Sequence, residues 1–126
     1  MENSVYILEI GGKQYRLKLT ARWAEACESR LCKSLPESVE DALKTKTVAV
    51  LLWGALQANH GSTMDETYNL LDELAADGRL TLDARVMLIN EILGTGGFFT
   101  PAELDAVRNA LKPKKPEAKP ENNPEA

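Results

Sequence analysis

Histidine is nearly missing from this chain: His60 is the only one in 126 residues. With it goes most metal and acid–base chemistry. His60 lacks cysteine or carboxylate neighbours at metal-ligand spacing, and no His-Glu-x-x-His pattern exists, so no cofactor or metal is expected. Cysteine is scarce too. Cys27 and Cys32 stand five apart, on different faces of a helix, and two thiols make no disulfide framework. A reducing compartment follows. Long apolar runs are lacking: the longest, Val48 to Leu56, has nine residues, where a membrane span needs about 20. Met1 to Ser4 has no basic segment of the signal-peptide kind. A cytoplasmic protein with no membrane partner is expected. Positive charge is also short, with 15 Lys and Arg against 19 Asp and Glu, a net of -4 and a pI near 5.1. Phosphate neutralisation supplies most nucleic-acid affinity, and no basic stripe is present to supply it. No nucleic-acid partner is expected.

What is present reads as one domain of mainly α structure. Tyr6, Leu8 and Ile10, then Tyr15, Leu17 and Leu19, recur with period two on either side of Gly11-Gly12. That is the pattern of an antiparallel hairpin with one covered face. Helical spacing follows. Thr20 caps a helix with Trp23, Cys27 and Leu31 inside, which Leu35-Pro36 is expected to end. Ser38 is expected to open the next, through Val39, Ala42 and Leu43. Val48 to Leu56 is apolar all round and predicts a central buried helix, with Gly54 admitting a close neighbour.

His60-Gly61 ends that helix, and Thr63 with Glu66 forms a capping box for the next. Met64, Tyr68, Leu71 and Ala75 are placed on its inner face. Gly78 stops it. Thr81 or Asp83 starts another, with Leu82, Val86, Ile89 and Leu93 inside, and Gly94, Gly96 and Gly97 break it. Thr100-Pro101 opens the last, with Leu104, Val107 and Leu111 inside. From Lys112 the chain carries four prolines, four lysines and three glutamates and no large apolar residue. The expected architecture is a two-stranded antiparallel hairpin packed on a bundle of about five helices, one domain over residues 1–111. A disordered tail follows over 112–126.

Candidate chemistry is sparse. No motif supports a Cys27–His60 nucleophilic pair, so no enzyme is expected. Gly94 to Gly97 follows a helix and lacks a phosphate-loop lysine. Phe98 and Phe99 are core plugs or an exposed binding pair. Both cysteines read as small core residues. The helices around Asp77 to Leu80 have helix-turn-helix spacing, but Asp83, Arg85, Asn90 and Glu91 poorly equip a recognition helix. Asp65, Glu66, Asp72, Glu73 and Asp77 make an acidic stretch with no lysine between them. Glu66, Asp72 and Glu73, with Phe98 and Phe99, are the candidate partner-binding residues.

Three stretches in order, GGKQYRLKLT, LLWGALQANHGSTMDETYNLLDEL and GTGGFF, resemble the tail assembly chaperones of long-tailed bacteriophages. The resemblance spans roughly residues 5–99, with Gly61 standing where proline is the family expectation. It implies a protein that binds the long helical tape measure protein, keeps it soluble and assists assembly of the tail tube around it. The implied partners are the tape measure protein and the tail tube protein. The implied place is the bacterial host cytoplasm, with absence from the mature virion. Open hairpin edges also allow a homo-oligomer. The alternatives are a structural tail or head-completion subunit and a helix-turn-helix DNA-binding regulator.

Overall fold

The computed structural model describes residues 5–111. The tail expected at 112–126 lies outside them. The chain opens with strands β1 (Tyr6–Ile10) and β2 (Lys13–Leu17), paired antiparallel with Leu8 opposite Tyr15 and Ile10 opposite Lys13. Gly11 and Gly12 turn at φ +57° and +81°, the left-handed pair that a two-residue hairpin turn requires. Leu8, Ile10 and Leu17 are buried, while Ile7, Glu9, Gln14 and Arg16 face solvent.

Six helices follow. α1 (Ala21–Leu31) is capped by Thr20, whose side chain accepts from the Trp23 N–H. It ends earlier than expected, at Leu31, where Cys32 turns left-handed and its N–H bonds the Glu28 carbonyl at 2.7 Å. Pro36 ends nothing. Ser34 and Glu37 form a capping box that starts the single-turn α2 (Leu35–Ser38), with Pro36 in its first turn, where a missing N–H costs little. Ser38 precedes only a 3-10 helix and gives it no side-chain cap; it is buried at the end of α2 and donates to the Leu35 carbonyl at 2.6 Å. A 3-10 turn (Val39–Asp41) leads on to α3.

α3 (Thr45–Gln57) is the centre of the domain, with every residue from Thr47 to Leu56 buried. Trp53 meets Trp23 edge to face at 5.4 Å and carries Arg30 over its ring at 4.3 Å. A Cβ on Gly54 would sit 2.3 Å from the Cys27 sulfur, so the glycine lets α1 approach. α4 (Met64–Ala76) has the predicted capping box of Thr63 and Glu66. Its buried face is Thr67, Leu70, Leu71 and Leu74. Tyr68 and Ala75 are exposed and Met64 half-buried, so the inner stripe is rotated from the expected one. Leu70 and Leu74 offer more apolar area than Tyr68 and Ala75, and Thr67 returns its hydroxyl to the Thr63 carbonyl at 2.9 Å.

α5 (Leu82–Thr95) is capped by Thr81. Leu82, expected inside, is 60% exposed at the outer end of the helix, while Val86 packs against the core and full burial begins at Leu88. Gly94 does not break the helix. It faces Leu104 of α6 (Pro101–Leu111), at a distance where any Cβ would clash, and the chain turns only at Gly96 to Phe98. Thr100 and Glu103 cap α6 reciprocally.

The hairpin is tied to the helices through the free edge of β2. Arg16 donates its N–H to His60 Nε2 at 2.9 Å, and Asn59 donates to the Arg16 carbonyl at 3.3 Å. Lys18 donates its N–H to the Ala55 carbonyl, and Leu19 to Thr95 Oγ1, each at 2.9 Å.

Two predictions follow from the α1–α3 contact. Gly54→Ala costs about 1–3 kcal/mol of stability by overpacking. The Gly54→Ala/Cys27→Ala double variant is more stable than the sum of the two single losses, because the new methyl fills the space the sulfur leaves. Urea midpoints of the four proteins check this, and simple additivity would refute the contact. The second concerns alkali. Burial pushes the Cys27 thiol up from 9.0 to about 12, so the folded chain keeps a proton that the unfolded chain gives up. Its contribution is intact below pH 9 and is lost as pH rises from there toward 12. Tyr6, raised above 10.0 by burial, acts in the same direction. Stability curves at pH 8 to 11 should flatten in Cys27→Ala, and iodoacetamide should label Cys32 alone in the folded protein.

Candidate functional site

The acidic candidates lie on the outer face of α4. Glu66 is committed in part to the fold: its Oε1 accepts the Thr63 N–H at 2.8 Å. It also borders a shallow cleft shared with Lys13, Tyr15 and His60. Asp72 and Glu73 are exposed and have no ion-pair partner among the described residues. The Glu73 carboxylate reaches the hairpin tip, 3.1 Å from where a Cβ on Gly11 would be.

The aromatic candidates sit in the α5–α6 turn and divide. Phe98, one of the two expected core plugs, is 38% exposed and lies over Gly96. Phe99 is half-buried and packs against the core. Phe99 lines a groove of about 410 Å³ with Val5, Tyr6, Pro101 and Leu104. Its polar part is an ion pair. Glu91, 6% exposed, receives Arg108 through Nε at 2.6 Å and Nη2 at 2.8 Å. That bond raises the Arg108 pKa above its ordinary value.

The structure thus brings Phe99 beside Tyr6, leaves Phe98 over Gly96 in the same turn, and keeps both apart from Glu66, Asp72 and Glu73. Gly96 abuts the Leu19 carbonyl, at the far end of β2 from the tip that Glu73 touches. A five-residue strand separates the two by about 17 Å. The sequence reading placed Glu91 only on a candidate recognition helix and did not pair it with Arg108. The signal was available: a glutamate between Ile89 and Ile92, in a stretch of core residues, needs a partner.

No nucleophilic pair is assembled. The Cys27 thiol donates to the Val50 carbonyl at 3.3 Å, deep beside α3, whereas His60 stands beyond the far end of that helix. The sulfur lies against Gly54, and the six residues from there to His60 correspond to about 9 Å of helical rise, too far for a proton transfer between them. His60 is spent on the Arg16 N–H and packs edge-on against Tyr15 at 5.3 Å. Cys32, expected in the core, is exposed because it occupies the left-handed turn after α1. Among the described residues no group of three His, Cys, Asp or Glu could hold a metal. Arg85, the one arginine of the helix-turn-helix reading, donates through Nε to the Leu80 carbonyl and through Nη1 to the Leu43 carbonyl and Thr45 Oγ1, which ties most of its donors to the fold.

Breaking the groove's ion pair gives a test of its geometry. Arg108→Met leaves a buried carboxylate without its cation and costs about 1–3 kcal/mol, less than a fully buried pair because the arginine is itself 44% exposed. Glu91→Gln in the same background recovers part of that loss, measured by urea denaturation at neutral pH. A loss in the double variant as large as in Arg108→Met would show that the pair is not the cause.

Among the described residues no helix is long and apolar enough to cross a membrane. Comparison with protein-family models, curated proteins and solved structures finds no match to this chain.

Proposed function

We propose that this protein is a tail assembly chaperone of a long-tailed bacteriophage, which binds the tape measure protein and keeps it soluble while the tail tube assembles. It acts in the host cytoplasm, by binding rather than by catalysis, and leaves before the virion is complete. The observation that carries this reading is that the three stretches resembling that family are parts of one joint. Arg16 and Lys18 of the first bond His60 and Ala55 of the second, and Leu19 and Lys18 bond Thr95 of the third through its hydroxyl and carbonyl.

Two surface features suit the task. Phe98 and the groove beside it offer apolar area that the stripe of a partner helix can cover. The acidic face of α4 keeps the pair soluble and draws basic segments. A partner held at the groove also hides the exposed ring from aggregation.

Co-expression with a tape measure protein, as a neighbouring long open reading frame would encode, is the test. That product should move from the insoluble to the soluble fraction and co-purify with this chain. Phe98→Glu should reduce recovery at any salt, while Asp72→Lys/Glu73→Lys should reduce it mainly at low salt. A partner equally insoluble with and without this chain, and no co-purification, would sink the proposal. Presence of the chain in purified particles would favour a structural tail subunit instead.

A further inference from the structure

Five helices close their N-termini with a side chain: Thr20, Ser34, Thr63, Thr81 and Thr100 each accept a first-turn N–H. α3 does not. Its flanking residue is Lys44, which gives no side-chain cap, and the first helical bond is Val48 N–H to the Lys44 carbonyl at 3.3 Å. The N–H groups of Thr45, Lys46 and Thr47 meet no acceptor among the described residues. On an exposed helix end, water would serve all three. Thr47 is different, being only 3% exposed. Its hydroxyl also has no partner among the described residues. Side chains on a helix lean toward the N-terminus, so this hydroxyl and the open N–H groups share one space. A buried donor without an acceptor is costly enough to call for an ion, a water or a ligand.

The surroundings favour an anion. Thr47 lines a cavity of about 180 Å³ together with Leu31, Lys33, Asp41, Lys44 and Lys46. Asp41 is bonded to Lys33 and lies 3.5 Å from Lys44, which holds the Lys33 ammonium beside the cavity and leaves Lys44 largely in solvent at its rim. Lys46 has no acidic partner among the described residues. Three lysines against one aspartate leave a surplus of positive charge, to which the positive end of the α3 dipole adds. Open N–H groups, a hydroxyl and ammonium groups are all donors, and together they match a group that only accepts.

We propose that this cavity binds a phosphoryl group, with the first-turn amides of α3 and the Thr47 hydroxyl donating to its oxygens and Lys33, Lys44 and Lys46 balancing its charge. Asp41 has the same charge sign as the ligand and opposes it; its two lysine partners offset that repulsion. The cavity suits one tetrahedral oxyanion, free or as the head of a small phosphate monoester. This site is separate from the groove at Phe98 and does not rest on the chaperone reading.

The test is an NMR titration of the full-length, nitrogen-15-labelled protein with inorganic phosphate, against sodium chloride at matched ionic strength. Saturable shifts centred on the amides of Thr45, Lys46 and Thr47 are expected. Thr47→Val, which keeps the shape and removes the hydroxyl, should weaken binding roughly tenfold. Lys46→Glu, an exposed change that spares the core, should weaken it at least as much. Adenosine monophosphate binding more tightly than phosphate would identify a monoester as the ligand, and equal binding would identify the free ion. Shifts that never saturate, an unmoved Thr47 amide, or undiminished binding in both variants would mean that water alone serves the buried donors, and would overturn the proposal. Amide shifts produced by a DNA duplex but by neither small phosphate would overturn it too.

Discussion

Everything in this domain is arranged around a helix that has no face to give to water. From Thr47 to Leu56, α3 is buried on all sides, and α1, α4, α5 and β2 each supply part of the cover. A helix in that position has no charged residue along its middle, so its polar business is confined to its two ends. The contact between Gly54 and Cys27 sets how near α1 can come, and close approach is what brings Trp23 onto Trp53. Dense packing of this sort transmits any change of volume to neighbours on several sides.

The polar ends of α3 then do different jobs. Its C-terminal end supplies Ala55, Asn59 and His60 to the outer edge of β2. A two-stranded sheet is marginal in water. Here one strand is fastened to helices by directional bonds as well as by apolar contact. Since those bonds use the alternate residues Arg16 and Lys18, a slip of one residue would lose them and turn Leu17 outward. Thr95 at the end of α5 completes the fastening, accepting from Leu19 while donating to the Ile92 carbonyl at 2.6 Å. Hydrogen bonding thus selects the register that the hydrophobic pattern merely allows.

Much of this was legible in the sequence because local rules and tertiary packing agree. The hairpin, the buried run at Val48 to Leu56 and the capping boxes at Thr63 and Thr100 are cases where periodicity, turn chemistry and burial point one way. Two of the differences come from a strong local signal whose meaning depends on its surroundings. Pro36 reads as a stop from the left and as a start from the right, and Ser34 with Glu37 decides in favour of the start. Gly94 reads as a break until Leu104, ten residues on, is known to press against it. The candidate site was harder. Phe98 and Phe99 are adjacent and chemically identical, and only the turn geometry sends one out and the other in. The acidic face could be read from spacing, but its separation from the aromatic pair depends on the hairpin lying lengthwise between them.

The clasp on β2 also bears on how the protein behaves when concentrated. Growth of a sheet from molecule to molecule needs two free edges on each unit, one to receive a strand and one to offer. Here the β2 edge is taken by the end of α3, and on the β1 edge Arg79 holds the Glu9 carbonyl. Edge-to-edge pairing through β1 would therefore stop at two chains, since neither member retains a second edge to pass on. A hairpin with both sides open would be a seed for fibres; closing one side makes it a terminator.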